Sequence, residues 1–160
     1  MKPLRIGLLG IGTVGGGTFD VLTRNAEEIS RRAGRPITIT HVADKNTALA
    51  NQVVAGRATV TDDAFGVVRN PDIDVVVELI GGYGVAKQLI LEAINNGKHV
   101  VTANKALLAV HGNEIFAAAR AKGVIVAFEA AVAGGIPIIK ALREGLVANR
   151  IEWIAGIING

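Results

Sequence analysis

The chain has 160 residues, half of them hydrophobic, no cysteine and a net charge of +3, which fits one domain with a substantial hydrophobic core. The lack of cysteine excludes disulfides, thiolate metal sites and a cysteine nucleophile, and a small charge without a basic block argues against nucleic-acid binding. No apolar stretch approaches the roughly 20 residues of a membrane helix, and the N-terminal run is too short and glycine-rich for a signal peptide, so we predict a cytoplasmic protein with no membrane association.

Apolar segments alternate with helix-like segments along the chain. In chain order we predict a strand at 5–9, a helix at 14–33, a strand at 37–43, a short strand near 59, a short helix near 65–69, a strand at 73–79, a helix at 85–96, a strand at 99–102, a helix at 105–122, a strand at 124–129, a helix at 136–146 and a strand at 150–158. The stretch 47–70 is mixed and carries the weakest pattern. This order predicts an α/β fold with a Rossmann-like, open, mostly parallel sheet and helices on both faces. The mean hydropathy of +0.41 suits a sheet that is buried on both faces.

The glycine-rich motif Gly-Ile-Gly-Thr-Val-Gly follows the first predicted strand and opens the first predicted helix. In dinucleotide-binding folds the first glycine of G-x-G-x-x-G makes a tight turn, the second lets the backbone approach a pyrophosphate, and the third lets the helix pack on the strand. The start of the helix favours the negative charge of the ligand. We therefore predict a cofactor site at Gly10, Ile11, Gly12, Thr13, Val14 and Gly15. The alternative is a strand–helix turn that only tolerates glycine.

Ligands in such sheets lie beyond the carboxyl ends of the strands. Asp44 follows the second strand, where a carboxylate can accept hydrogen bonds from the adenosine ribose of NAD, whereas the adjacent Lys45 would favour NADP. Asp44 lies further beyond Gly15 than the usual ~20 residues, so a long first helix must fill the gap. NAD and NADP both stay open, and a solvated turn at Asp44 is the alternative. Gly81, in the loop after the 73–79 strand, suits a nicotinamide or its ribose close to the backbone, or is part of a flexible loop.

Lys105 begins a predicted helix, and this end of a helix is electrostatically unfavourable for a cation. An anion nearby or a function would compensate. A lysine in a partly dry cleft can act as a base or acid, and oxidation of an alcohol by a nicotinamide needs a group that takes the hydroxyl proton. The pattern therefore leaves two interpretations open, a catalytic or substrate-binding lysine and an ordinary surface lysine.

Glu129 ends the 124–129 strand and is either a capping acceptor or a site carboxylate. The glycines that follow it allow carbonyl groups to turn inward, where they could coordinate a hard cation or cradle a ligand. The three histidines are not spaced like a metal site, and His99, inside a strand pattern, is predicted to be a core histidine with its hydrogen bonds satisfied.

Four motifs taken together resemble the homoserine dehydrogenase family. They are Gly-Ile-Gly-Thr-Val-Gly at 10–15, Val-Val-Val-Glu-Leu-Ile-Gly-Gly at 75–82, His-Val-Val-Thr-Ala-Asn-Lys-Ala-Leu-Leu at 99–108, and Phe-Glu-Ala-Ala-Val-Ala-Gly-Gly-Ile-Pro-Ile-Ile at 128–139. The resemblance covers essentially the whole chain and is weakest over 45–63. It implies an enzyme that interconverts L-homoserine and L-aspartate 4-semialdehyde with NAD or NADP, in the biosynthesis of threonine, methionine and isoleucine.

The resemblance also implies roles for particular residues. It places Thr13 and Val14 beside the pyrophosphate. It places Thr102, Ala103 and Lys105 near the nicotinamide ribose and the reacting group, with Lys105 at the catalytic centre. Finally, it implies a sodium ion bound, mostly through backbone carbonyls, at Glu129, Val132, Gly134 and Ile136.

Members of the family are much longer than this chain. We therefore expect residues 1–135 to form the NAD(P)-binding domain and residues 136–160 to begin the connection into an absent substrate and dimerisation domain. Such a fragment should bind cofactor without oxidising homoserine by itself. The expected partners are a small-molecule substrate and, for the full-length protein, further copies of itself.

Three other interpretations compete with this one. A sugar- or inositol-type dehydrogenase often carries Glu-Lys-Pro where this chain has Asn104, Lys105 and Ala106, and the missing glutamate and proline count against it. Aspartate-semialdehyde dehydrogenase needs a cysteine nucleophile, which this segment lacks. A non-catalytic module that senses dinucleotides is the alternative from a different class, since a domain without a substrate half would behave in that way.

Overall fold

The computed structural model describes residues 2–156 of the chain and is built on a six-stranded sheet. The strands are β1 (Leu4–Leu9), β2 (Ile37–Ala43), β3 (Thr59–Thr61), β4 (Val75–Glu78), β5 (His99–Thr102) and β6 (Val126–Ala127). Their order across the sheet is β3-β2-β1-β4-β5-β6, and every neighbouring pair is parallel. This arrangement confirms the predicted Rossmann-like sheet.

Helices lie on both faces of the sheet, as predicted. They are α1 (Thr13–Arg24), α2 (Ala26–Ala33), α3 (Thr47–Val54), α4 (Ala64–Arg69), α5 (Gly84–Asn95), α6 (Lys105–Lys122) and α7 (Ile138–Lys140), with a 3-10 turn at Glu129–Ala131 and a π-helical turn at Ala141–Gly145. Side chains of α4, α5 and α6 pack on one face against Val76 and Val100, whereas α1 and α3 pack on the other face near Val75 and Val77. Among the described residues, no helix has the length and apolar character to span a membrane.

The α1 face of the sheet is only partly covered. Beside α1, the strands β4, β5 and β6 form the floor of an apolar groove of about 1020 Å³. Val101 of β5 is 38% exposed and Ile125, just before β6, is 59% exposed. Val14 and Val21 of α1 form one wall of the groove. The other face of the same strands is covered by α5 and α6, so the two sides of the sheet differ in their contact with water.

Several predicted boundaries were wrong. The helix predicted over 14–33 is two helices, because Asn25, at φ −105° and ψ 21°, is not in the helical conformation. Asparagine is a poor helix former, since its side chain can hydrogen-bond nearby backbone groups in non-helical conformations. The mixed segment contains α3, whose first turn is capped by the Asn46 side chain. The predicted helix over 136–146 begins at Ile138 and gives way to the π-helical turn.

The strands at the C-terminal end differ most from prediction. The strand over 124–129 shortens to Val126–Ala127. No strand forms over residues 150–156, since a strand requires a neighbour for its backbone groups, and residues 157 and 158 lie outside the described part. His99 is exposed rather than in the core, although its Nδ1 does accept a hydrogen bond from the Ile125 N–H at 3.0 Å.

A buried lysine holds the amino end of the sheet. Lys98 is 4% exposed, and its ammonium group donates hydrogen bonds to the carbonyl oxygens of Asn70 at 2.6 Å and Ile73 at 2.8 Å. Burial lowers the pKa of Lys98 below its ordinary value, and attraction to Asp74 only partly opposes that effect. Lys98 therefore joins β5 to the α4–β4 connection at the edge opposite the predicted cofactor site.

Replacing Lys98 with methionine is expected to lower the free energy of unfolding by about 2 kcal/mol at neutral pH, because two carbonyls lose a charged donor. The advantage of the wild type should grow as the pH rises. The pKa of Lys98 is lower in the folded chain than in the unfolded chain. Between these two pKa values the unfolded chain binds more protons than the folded chain, so the free energy of unfolding of the wild type rises with pH. Urea unfolding at several pH values measures both effects. Lys122→Met, on an exposed side chain, is the control, and the same pH dependence in Lys98→Met as in the wild type would contradict the assignment.

Candidate functional site

The strand order reverses between β1 and β4, so the loops that follow these two strands diverge to opposite sides. In open parallel sheets this switch point leaves a crevice beyond the carboxyl ends of the strands, where ligands bind. The two strands stay paired up to the edge, since the Leu79 N–H donates to the Leu9 carbonyl at 2.8 Å. The loops after β1, β2, β4 and β5 therefore meet at one edge, and they contain most of the residues predicted to bind the cofactor.

The glycine turn after β1 has a separate reason for each of its three glycines. Gly10 has φ +91°, and a Cβ there would lie 2.9 Å from the Leu79 carbonyl oxygen. A Cβ on Gly15 would collide with the carbonyl oxygen of Gly10, so the third glycine lets α1 approach the turn. A Cβ on Gly12 would meet nothing within 4 Å. No contact within the described part of the protein requires glycine at this position. This agrees with a ligand that approaches the backbone too closely for a Cβ.

The N-terminus of α1 faces this turn without a side-chain cap. Gly12 is its N-cap residue and offers no side-chain hydrogen bond. The helices α2 and α5 also lack a side-chain cap, whereas α3, α4 and α6 are capped by Asn46, Asp63 and Asn104. The first N–H groups of a helix have no intrahelical acceptor. Thr13 and Val14 are exposed there, so this end of α1 can receive an anion.

Asp44 is tied to the glycine turn. Its Oδ2 accepts a hydrogen bond from the Ile11 N–H at 2.7 Å, and its Oδ1 accepts one from the Asn46 N–H at 2.8 Å. The carboxylate is half-buried, while the adjacent Lys45 is exposed. The helices α1 and α2 account for its distance along the chain from Gly15. Ile11 uses its N–H for Asp44 and buries its side chain in the core, so its side chain is turned away from the predicted cofactor site.

Glu78 joins the loops after β4 and β5, and sequence reasoning did not single it out. It is the last residue of β4 and is fully buried. Its Oε1 accepts hydrogen bonds from the N–H groups of Ile80 at 2.8 Å and Gly81 at 3.1 Å, and its Oε2 accepts one from the Thr102 hydroxyl at 2.7 Å. The available signal was a carboxylate at the end of an otherwise β-branched strand.

Asn104, also missed, continues this network. The Thr102 hydroxyl oxygen accepts a hydrogen bond from the Asn104 N–H at 3.0 Å. The Asn104 side chain donates to the Gly82 carbonyl at 2.7 Å and accepts from the Leu107 N–H at 3.1 Å. Asn104 therefore caps α6 and holds it against the loop that contains Gly81. The sequence signal was an asparagine immediately before a predicted helix.

Lys105 is the first residue of α6 and is exposed. Its backbone follows directly from Asn104, so the network that fixes the cap also fixes the origin of the lysine side chain. A small pocket of about 140 Å³ next to it is lined by Val14, Leu79, Gly81, Ala103 and Asn104. The structure thus brings Val14 of the first motif together with Gly81 and Ala103 of the second and third. Thr102 belongs to the same edge, but its hydroxyl points inward to Glu78.

The carboxylate of Glu129 is a helix cap. Its two oxygens accept hydrogen bonds from the N–H groups of Ile139 and Lys140, each at 2.9 Å, at the start of α7. Between Glu129 and α7 the chain turns through two consecutive residues with left-handed backbone, Ala133 at φ 56° and Gly134 at φ 59°. These bonds are those of a capping acceptor, and a role of Glu129 as a site carboxylate stays a prediction. No group of three or more histidine and carboxylate side chains that could hold a metal ion occurs within residues 2–156.

A parallel sheet with an uncapped helix at its switch point and a glycine turn open to a ligand defines a Rossmann domain of the dinucleotide-binding class. A family model described as the NAD binding domain of homoserine dehydrogenase matches residues 10–129. The chain belongs to this family.

Relatives of the chain agree with this assignment. A homoserine dehydrogenase from Pseudomonas aeruginosa is 68% identical over 160 residues, which are 100% of this chain and 36% of the relative. One from Methylobacillus glycogenes is 62% identical and is covered to 39%. The crystal structure of a homoserine dehydrogenase from Thiobacillus denitrificans has 66% identity and a TM-score of 0.93, with 100% of this chain and 37% of that chain covered. The chain therefore spans well under half the length of these relatives.

Proposed function

We propose that the chain binds NAD or NADP at the carboxyl edge of its sheet, as the nucleotide-binding part of a homoserine dehydrogenase. In that enzyme L-homoserine and L-aspartate 4-semialdehyde would be interconverted. The observation that carries the proposal is the meeting of Val14, Gly81 and Ala103 around one pocket beside the open turn at Gly12. Family membership over residues 10–129 supports it.

Different residues would hold different parts of the dinucleotide. The turn from Gly10 to Gly15 and the first N–H groups of α1, at Thr13 and Val14, would bind the pyrophosphate. Asp44 would accept hydrogen bonds from the hydroxyl groups of the adenosine ribose, and the adjacent, exposed Lys45 would pair with the 2′-phosphate of NADP. Gly81, Thr102 and Ala103 would surround the nicotinamide and its ribose.

When bound, the oxidised nicotinamide would supply the acceptor for the hydride that leaves the hydroxyl-bearing carbon of homoserine. This chain would contribute Lys105, whose amine form takes the hydroxyl proton and whose ammonium form returns it in the reverse direction. The location of Lys105 supports this role, because it starts α6 immediately after the capping Asn104, beside the pocket that contains Gly81.

A sodium ion is proposed for the loop after Glu129. The carbonyl oxygens of Val132 and Gly134 accept no hydrogen bond from the described residues, so both are available to a hard cation. Glu129 supplies negative charge and retains lone pairs beyond the two that cap α7. The carbonyl of Ile136 already accepts the Ile138 N–H at 2.8 Å, so it would be the weakest of the four ligands. These donors fit a weakly held monovalent ion.

Binding of NADH and NADPH by the 160-residue chain tests the proposal. Titration calorimetry should show saturable binding of at least one of them, and failure to bind either would refute it. Asp44→Ala should weaken NADH far more than NADPH, since only NADH presents a free ribose 2′-hydroxyl to a carboxylate. Because Asp44 also accepts the Ile11 N–H, the free energy of unfolding is measured in parallel. Equal losses for NADH and NADPH would remove the ribose role.

The other interpretations now carry less weight. A sugar- or inositol-type dehydrogenase is not favoured, since the three relatives described above are homoserine dehydrogenases. A non-catalytic sensing module would have the same cofactor site, but Lys105 would have no function in it. The domain boundary near residue 135, the homo-oligomeric full-length protein, the absence of nucleic-acid partners and the cytoplasmic location stay predictions from the sequence.

A further inference from the structure

Glu78 occupies an unusual place for a carboxylate. It is fully buried at the end of a central strand, and no ion pair to it occurs among residues 2–156. Removing a carboxylate from water is costly unless its oxygens are well satisfied. Three hydrogen bonds compensate here, from Ile80, Gly81 and Thr102. A fully satisfied buried network of this kind makes the groups that take part in it rigid.

The three donors belong to two different loops. Ile80 and Gly81 lie in the loop after β4, and Thr102 ends β5, where it is paired in register with Glu78 itself. The second link runs from Thr102 to Asn104 and from the Asn104 side chain to the Gly82 carbonyl. Together these bonds form a closed ring, the Glu78 ring, made of Glu78, Gly81, Gly82, Thr102 and Asn104.

The Glu78 ring fixes backbone that would otherwise have wide conformational freedom. Gly81 and Gly82 have φ values of +80° and +75°, and glycines otherwise sample many states at little cost. The hydrogen bonds from Ile80 at 2.8 Å and Gly81 at 3.1 Å to one buried carboxylate oxygen select a single conformation. On the other side, the ring sets the N-cap of α6 and with it the starting point of Lys105. A carboxylate suits this task because it accepts from several donors at once.

We propose that Glu78 is a positioning residue for the nicotinamide end of the cofactor. It acts through Gly81, Thr102 and Asn104, which fix the loop after β4 relative to the start of α6 on one side of the nicotinamide site. This inference rests on the proposed cofactor site, but it concerns only the half of the site that contacts the nicotinamide. The pyrophosphate end, at Gly12 and the start of α1, contains no member of the Glu78 ring.

Comparing the affinities for two ligands distinguishes an effect on the nicotinamide half of the site from an effect on the pyrophosphate half. NADH reaches both, whereas ADP lacks the nicotinamide and its ribose and reaches only the adenosine and pyrophosphate part of the site. Glu78→Ala in the 160-residue chain should weaken NADH by about tenfold or more and change ADP by less than about twofold. Thr102→Val, which keeps the shape but removes the hydroxyl, should show the same selectivity. Titration calorimetry measures all of these affinities.

A conservative variant and a surface control complete the experiment. Glu78→Gln keeps an acceptor for Ile80 and Gly81 and should recover most of the NADH affinity. Glu114→Ala, on an exposed side chain of α6, should change neither ligand. Equal weakening of NADH and ADP by Glu78→Ala and Thr102→Val, or no weakening of NADH by either, would overturn the role of Glu78 alone. If the wild type binds neither ligand, the proposed function fails and this role fails with it.

Discussion

Replacing Gly15 with alanine is expected to lower the free energy of unfolding by about 3 kcal/mol. The added Cβ would collide with the Gly10 carbonyl oxygen, which belongs to backbone and cannot rotate away. The helix α1 would have to move outward from β1, loosening its packing at Phe19, a buried residue of the same helix. Because that movement also displaces the N–H groups that face the turn, the affinity for NADH should fall as well. Urea unfolding and NADH titration measure the two effects.

The same helix contains a matched control. A Cβ on Gly17 would meet nothing within 4 Å, so Gly17→Ala adds a better helix former without a collision. It should raise the free energy of unfolding by up to about 1 kcal/mol. Opposite signs for the two glycine-to-alanine changes, two residues apart in one helix, would isolate the contact with Gly10. A similar gain in both variants would contradict the close approach of α1 to the glycine turn.

Loss of Lys105 is expected to have the largest effect on catalysis. The chain alone should not oxidise homoserine, so the test uses a chimera that joins it to the part of the Pseudomonas aeruginosa relative beyond the matching segment. In this chimera Lys105→Ala should lower kcat by roughly 10²–10⁴-fold, because the group that takes the hydroxyl proton is removed. Initial rates of NADH formation from homoserine measure the change.

A control variant and a binding measurement distinguish a catalytic Lys105 from an ordinary surface lysine. Lys122→Ala removes an exposed lysine at the opposite end of α6 and should leave kcat unchanged. NADH affinity of Lys105→Ala in the 160-residue chain should fall only modestly, since α6 keeps its Asn104 cap. A Lys105→Ala chimera with nearly wild-type kcat would show that Lys105 is an ordinary surface lysine. Homoserine oxidation by the 160-residue chain alone would contradict the expectation that the substrate half is required.

Local rules were sufficient where one segment decides its own structure. The β-branched run around Val75–Glu78 and the glycine turn at Gly10–Gly15 were predicted because strand propensity and positive φ are properties of the residues themselves. The caps of α3 and α6 follow the same logic, since Asn46 and Asn104 each bond an N–H three residues later. The missed α3 was therefore within reach of the sequence.

Contacts between distant segments decided what the sequence could not predict. Glu78 bonds Thr102, which lies in another strand, and no local pattern reveals that the two are in register. The strand predicted over 150–158 has the right composition, but in residues 150–156 it lacks a neighbouring strand. The oxygens of Glu129 cap N–H groups of Ile139 and Lys140, ten and eleven residues along the chain, and no local pattern reveals that contact. Each of these outcomes depends on a partner supplied by the tertiary fold.

The partly covered face of the sheet affects how the chain responds to denaturant and temperature. Both the denaturant m-value and the heat capacity change of unfolding scale with the surface newly exposed when the chain unfolds. Val101 and Ile125 already contact water in the folded chain, so they add less to that difference than fully buried side chains would. The isolated chain should therefore have a smaller m-value and a flatter dependence of stability on temperature than a Rossmann domain of equal length with both faces covered.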